Sequence, residues 1–228
     1  DMYYNMYNTL KSTSADVVIC NYYEENRRKT KEVRLSGTKS ILKENDIIQY
    51  IVSPMIATED LNNGRSTLMG SVCRLLIKHS IIIDNNIRFK DYIPLMEDLI
   101  FSINIFLKSH IISIDNSISY HYRQNSVSAI NRYRKDLKKI HDTVTFEIEA
   151  LLKQENKYDL LIDRMKIRYV NDAMSCITME CHQHNKYNKI SQKIFKIGQV
   201  CKDKKLKNII KELDKSNYSF RRKIILSS

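Results

Sequence analysis

Two adjacent carboxylates, Glu97 and Asp98, stand at the head of the clearest amphipathic stretch in the chain, with Leu99, Ile103, Phe106 and Leu107 spaced for one helix face behind them. A carboxylate near its ordinary pKa of roughly 4 is ionised at neutral pH and can take a proton from a hydroxyl. A helix N-terminus also favours negative charge through its free N–H groups and dipole, so acidic residues are common there for stability alone. A second group is Tyr120-His121-Tyr122-Arg123-Gln124. The guanidinium of Arg123 suits paired phosphate oxygens, and equally a solvated strand end. Alternation between Tyr120 and Tyr122 is enough to put His121 on a strand face. Cys176, Cys181, His182 and His184 suggest zinc, but their spacing is not that of a zinc site, and the two cysteines fall on one apolar helical stripe. Four scattered glycines form no phosphate loop, and there is no Gly-x-Ser-x-Gly elbow for a hydrolase.

The elements that position these groups follow from periodicity and breakers. Met2, Met6, Tyr7 and Leu10 predict a helix over 2–12 that Ser14 and Asp16 can end. Ala15–Cys20 reads as a buried strand, and Tyr22-Tyr23 with Val33-Arg34-Leu35 as a loose hairpin. A helix is expected over 39–52, stopped by Pro54. Leu68–Ile83 reads as a helix leading into a strand, though its period does not decide. Ile111–Ile114 and Ile118–Tyr122 read as two strands parted by Asp115-Asn116. Beyond residue 130 the pattern is helical, with faces at Leu137, Ile140, Val144, Ile148 and Leu151, and at Leu161, Met165, Tyr169, Ala173, Ile177 and Cys181. Shorter helices are expected over Ile190–Val200 and Leu206–Leu213. The division predicted is a mixed α/β part, 1–130, followed by a helical part, 131–228.

Several of these segments, in order, resemble the second half of the catalytic domain of bacterial family 2 glycosyltransferases, which have the GT-A fold. They are Ile87-Arg88-Phe89, a loop leading to Glu97-Asp98-Leu99-Ile100-Phe101, then Ile114-Asp115, then Tyr120-His121-Tyr122-Arg123-Gln124-Asn125 with Ser128. Asp1-Met2-Tyr3 with Ala15-Asp16-Val17-Val18 looks like the helix and strand that follow the family's D-x-D metal motif. The resemblance covers residues 1 to about 130 and implies a partial GT-A mixed sheet with flanking helices, then an α-helical C-terminal region. It implies that Asp98 is the base of an inverting sugar transfer, that Glu97, Tyr122, Arg123 and Gln124 bind substrate, and that His121 occupies the place of a late metal ligand. It further implies a nucleotide-sugar donor, a lipid-linked or polysaccharide acceptor in surface glycan synthesis, and a divalent cation, Mn²⁺ or Mg²⁺, held mainly by a D-x-D motif not present in this chain. The chain begins at Asp1 rather than methionine, and we expect a piece of a longer protein that lacks the nucleotide-binding part and is inactive by itself.

Charge separates the two parts more sharply than composition does. Residues 1–131 hold 15 Lys/Arg against 14 Asp/Glu, whereas 132–228 hold 23 against 12, so nearly all of the net +12 lies in the second part. Such a surface suits anionic lipid, nucleic acid or a phosphorylated substrate. Residues 186–223 are the expected contact with an anionic membrane. The apolar stripe Ile190, Ile194, Ile197, Val200 and Cys201 is expected to pack on the rest of the domain. A nucleic-acid or protein-binding helical module is the alternative, but no helix-turn-helix, zinc finger or RNA-binding signature accompanies the charge. Five cysteines without a C-x-x-C pair, no run of roughly 18 apolar residues and no signal-peptide pattern lead to an expected cytoplasmic location, peripheral at the inner face of the cell membrane.

Overall fold

The computed structural model describes residues 1–26, 29–35, 39–57, 70–123, 132–181 and 188–213. The chain divides into two compact units: Asp1–Met55 with Ser66–Ser128, and Ile56–Arg65 with Ala129–Ser228.

The first unit is a mixed sheet with flanking helices. Helix α1, Met2–Thr13, is capped by the Asp1 carboxylate, which accepts from the Tyr3 N–H at 3.0 Å, and it ends where Ser14 turns left-handed. Its buried Met6 packs with Ala15, Val18 and Cys20. Strand β1, Val17–Glu25, is the centre of the sheet. One edge of β1 pairs first with β4, Leu75–Ile77, and further along with β2, Thr30–Val33, both antiparallel. The other edge pairs in parallel with β5, Ile111–Arg123, whose far side takes the short β3, Ile41–Lys43. Parallel strands need a long crossover. Its last helical element is α5, Glu97–Lys108, from which the turn at Ser109 and His110 leads directly into β5.

Asp16 joins the starts of β1 and β5 to the end of β4. Its carboxylate accepts hydrogen bonds from Lys78 Nζ at 2.9 Å, next to β4, and from the backbone N–H groups of His110 at 2.8 Å and Ile111 at 3.1 Å, where β5 begins. Its own backbone N–H donates to Ile111 O at 2.7 Å, and its carbonyl accepts from the Lys78 N–H at 2.9 Å. Burial pushes the Asp16 carboxyl up, but these hydrogen bonds outweigh it and leave the group below its usual range.

Three expectations for this unit need correction. Residues 39–52 do not form one helix: Ile41–Lys43 is a strand, held where Ile114 N–H donates to Ser40 O at 2.8 Å. A helical turn, α2, Asn45–Ile47, then runs through a π-helical stretch, Ile48–Val52, into α3, Ser53–Ile56, so Pro54 does not stop it. The Ser53 N–H bonds Ile48 O, five residues back, so the ladder has already changed register where the proline removes a donor. The segment Leu68–Ile83 contains a strand leading into a helix, the reverse of the expected order, with a 3₁₀ turn, Val72–Arg74, before β4 and α4, His79–Asp84, after it. The two strands expected over 111–122 are one. Asn21 bridges the irregularity: its Nδ2 donates to Asp115 O at 3.1 Å, while Oδ1 accepts from the Leu35 N–H at 2.9 Å.

The second unit is helical: α6, Leu137–Gln154; a 3₁₀ turn, Asp159–Leu161; α7, Ile162–Cys181; α8, Ile190–Cys201; and α9, Lys204–Glu212. Helices α6, α8 and α9 each pack on α7. Cys176 is buried on the expected stripe of α7, but Cys181, in the last turn, is exposed. Among the described residues no helix is long and apolar enough to cross a membrane.

Asp16→Ala should cost about 2–3 kcal/mol at pH 7, because it leaves two strand-start N–H groups and Lys78 without their charged acceptor. A depressed native pKa adds stability above the unfolded value of about 3.9 that disappears as pH falls through the native one. Urea unfolding at pH 7 and pH 3 should therefore show a wild-type-to-mutant difference that is large at pH 7 and smaller at pH 3. Equal midpoints at pH 7 would refute this role.

Candidate functional site

Because α5 turns straight into β5, its N-terminus returns to the carboxyl end of the parallel β1–β5 pair, where ligands commonly bind in α/β sheets. Glu97 and Asp98 are the first residues of the helix, and the N-cap position holds Met96, left-handed at φ 67° and with no oxygen for capping. The segment before β4 lies against this end of α5. A Cβ on Gly70 would stand 2.7 Å from Leu99 Cα, so only glycine permits the approach, and Ser102 Oγ donates to Gly70 O at 3.2 Å. The approach brings the Val72 N–H to the Asp98 carboxylate as a hydrogen-bond donor.

Asp98 is partly buried. Burial raises its carboxyl pKa, the adjacent Glu97 charge raises it further, and the Val72 hydrogen bond offsets only part of this. The expectation of a carboxylate near its ordinary value is thereby corrected upward. Tyr120 of β5 is close enough to feel the Asp98 charge. Its hydroxyl hydrogen-bonds the side chain of Cys73, and its pKa is pushed up to about 12, by burial first and then by Cys73, Tyr122 and Asp98. Tyr120 and Tyr122 share a face of β5, opposite Tyr22 and Glu24 of β1. The guanidinium of buried Arg74 lies over the Tyr22 ring, 4.9 Å from its centre. One helical turn into α5 from Glu97 and Asp98, Phe101 stacks on Phe89 with rings parallel to 3° and centroids 4.1 Å apart. Phe89 remains 45% exposed, so part of its ring is open to solvent.

His121 and Arg123 lie on the other face of β5. His121 Nδ1 is 2.6 Å from Glu25 Oε1, Arg123 Nε is 3.4 Å from Glu25 Oε2, and the His121 ring tilts on Tyr23 at 5.0 Å. The His121 hydrogen bond is the main reason that the Glu25 carboxyl lies below its usual range. The structure thus brings together Glu97, Asp98 and, through Tyr120, Tyr122, while His121 and Arg123 form a separate group around Glu25. Gln124 lies outside the described residues. No cluster of three His, Cys, Asp or Glu residues able to hold a metal occurs among the described residues. The described residues alone do not offer the donor set of a resident divalent ion.

The sequence reading does not mark Cys73, Tyr120 or Phe89 as site residues, although Phe89 ends the Ile87-Arg88-Phe89 segment and Tyr120 opens the tyrosine motif, signals that point to both. Cys73 lies in a stretch whose secondary structure the period left open. The chain matches no protein-family model and no curated protein.

The raised carboxyl gives Asp98 a stability signature. A group whose native pKa lies above its unfolded value stabilises the fold at low pH and loses that contribution as pH rises through the native pKa. Asp98→Asn escapes this loss and can still accept from Val72 N–H. It should be more stable than wild type at pH 7–8, with the gain shrinking as pH falls through the carboxylate range, measured by thermal or urea unfolding. An acidic residue kept only to favour the helix terminus gives the opposite sign, a loss at neutral pH.

Proposed function

We propose that this chain is the acceptor-side part of an inverting glycosyltransferase of the family 2 type, with Asp98 as the base. The observation that supports this most is Asp98 itself, partly buried at the carboxyl end of the β1–β5 pair with its carboxyl raised. A base works best when its pKa approaches the working pH while it is still ionised, and the upward shift moves Asp98 in that direction. Its position at a helix N-terminus opposes the cost of the charge.

In this reading the acceptor hydroxyl gives its proton to the Asp98 carboxylate as its oxygen bonds to the anomeric carbon of the donor sugar. The bond from that carbon to the phosphate oxygen breaks, and the nucleoside diphosphate departs with the electron pair. Attack on the opposite side from the leaving group inverts the anomeric centre. Glu97 keeps the local potential negative and so keeps Asp98 basic. The open part of Phe89, braced by Phe101, offers a flat apolar surface for the C–H face of an acceptor sugar. Tyr122 shares the Tyr120 face of the strand and in this reading also contacts the acceptor. Arg123 would have to leave Glu25 to meet a phosphate, at small cost for a side chain 85% exposed.

The reading is tested on the complete gene product by nucleotide release from a panel of nucleotide sugars with glycan and lipid-linked acceptors. Asp98→Asn should lower kcat about 10²–10⁴-fold with donor affinity unchanged. Wild-type turnover in that variant would remove the base assignment. Phe89→Ala should raise the acceptor KM, by about tenfold if stacking is worth about 1.4 kcal/mol, without changing the donor KM. An equal rise in both would show that the loop, not the stacking surface, had been disturbed.

A further inference from the structure

Among the described residues, helix α8 is held on one side. Lys196 Nζ donates to Tyr133 Oη at 2.8 Å and to Glu180 Oε1 at 3.2 Å. Asn188 Nδ2, just before the helix, donates to the same two side chains at 2.7 and 3.1 Å, and Tyr133 donates to Glu180 at 3.0 Å. Val200 is buried one turn beyond Lys196. With 3.6 residues per turn, Lys196 and Val200 mark one face, and the residues turned away from it include Ile190, Ser191, Ile194, Phe195, Gly198 and Cys201. None of these six is charged. Ile190, Ile194 and Phe195 are 77%, 65% and 66% exposed, and a Cβ on Gly198 would meet nothing within 4 Å. The expected packing of the whole stripe on the domain is thus corrected: Val200 packs, whereas Ile190 and Ile194 do not, because the polar Lys196–Tyr133–Glu180 contact fixes the rotation of the helix.

An uncharged arc is unexpected in this region. Residues 188–213 carry eight lysines against two acidic residues. Both acids are engaged: Asp203 caps α9 and accepts from Tyr169 Oη at 2.8 Å, and Glu212 pairs with Lys166 at 3.2 Å. Exposed Lys189 and Lys202 flank the two ends of α8, and exposed Lys204, Lys205, Lys207 and Lys211 follow on α9. Bulky apolar side chains on the outward face of a helix, bracketed by lysines whose long stems reach the headgroup level, are what an interfacial helix requires. We propose that α8 docks on an anionic membrane surface, with Ile190, Ile194 and Phe195 entering the boundary between headgroups and acyl chains while Lys189, Lys202 and the α9 lysines meet lipid phosphates. The charge selects an anionic bilayer over a neutral apolar partner. Nothing in this inference depends on Asp98.

The chain has no tryptophan, so Phe195→Trp supplies a single reporter. With vesicles of phosphatidylcholine plus one third phosphatidylglycerol, its emission should shift to the blue and become shielded from an aqueous quencher, and with phosphatidylcholine alone it should do neither. In sedimentation, Ile190→Ser/Ile194→Ser/Phe195→Ser should bind anionic vesicles at least tenfold more weakly than wild type, with an unchanged far-UV spectrum and melting temperature. Lys189→Glu/Lys202→Glu should also bind more weakly and lose part of the salt dependence. Unshifted emission, or equal binding by the triple variant, would overturn the proposal. A wild-type dimer that the triple variant converts to monomer would assign the face to a second copy. Wild-type emission already blue without lipid, and released on truncation after Leu213, would assign it to the chain's own C-terminal segment.

Discussion

Asp16 offers one carboxylate to three places at once: the end of β4, through Lys78, and the first two N–H groups of the β5 segment. Since β5 follows α5 after only two residues, this contact also limits where α5 can lie. A helix of 12 residues is rigid along its axis, so fixing its C-terminal turn fixes its N-terminus about 18 Å away. Asp98 is placed in this way, by a tether at the opposite end of its own helix. Gly70 then completes the placement, because its missing side chain lets the Val72 N–H reach the helix terminus. The structural carboxylate and the proposed catalytic one differ in the balance of the same physical effects. Burial raises both, but Asp16 has three donors against it and Asp98 has one donor and a neighbouring negative charge.

A comparable economy of polar contacts organises the helical unit. Arg168, 5% exposed, bonds Thr145 Oγ1 at 3.1 Å and lies 3.5 Å from Asp172, and His141 Nδ1 stands 3.0 Å from the other Asp172 oxygen. Thr145 Oγ1 in turn donates to Asp172 at 3.0 Å. These groups tie α6 to α7 at one level. Buried charges of this kind add less net stability than their number suggests, since desolvation cancels much of the attraction. They do penalise sliding: a shift of α6 by one turn would take Thr145 and His141 away from Arg168 and Asp172, which stay paired on α7. The Tyr133–Glu180–Lys196 cluster performs the same function for α8, and burial of Glu180 is outweighed there by three hydrogen bonds that keep its carboxyl below the usual range.

Long periodic segments were legible, and short or irregular ones were not. Helices α1, α5, α6, α7 and α8 each repeat apolar residues over three turns or more, and the sequence reading places all of them within a few residues of their observed bounds. Strand β3 has three residues and exists because β5 offers it an edge, a tertiary cause that no local pattern announces. Asp115-Asn116 reads as a break because Asp and Asn are turn formers. In the fold their polarity is satisfied locally, with Asp115 accepting from the Ser117 N–H at 3.0 Å and from Ser117 Oγ at 2.7 Å, and the strand continues. The geometry around the candidate site is legible to a similar degree. Ordered motifs mark Asp98, but which of the neighbouring residues share its surroundings depends on strand alternation and on the Gly70 approach. Alternation separates Tyr120 and Tyr122 from His121 and Arg123, residues that the motif presents side by side.

The sign of the Asp98 shift bears directly on why a carboxylate stands there. Helix termini select Asp and Glu because a negative charge near free N–H groups lowers the free energy of the fold, and such groups ordinarily show depressed pKa values. At Asp98 the burial and the Glu97 charge reverse that outcome, so the ionised group is held at a cost to folding. An amide would keep the Val72 hydrogen bond and remove the charge conflict. Stability alone would therefore be served at least as well by asparagine at this position. Within reach of that charge is the Tyr120 hydroxyl, and the Phe89–Phe101 stack starts one turn along the helix. Under the proposed function, that charge would take the proton of an acceptor hydroxyl while the Phe89–Phe101 surface would meet the apolar face of the ring that carries it.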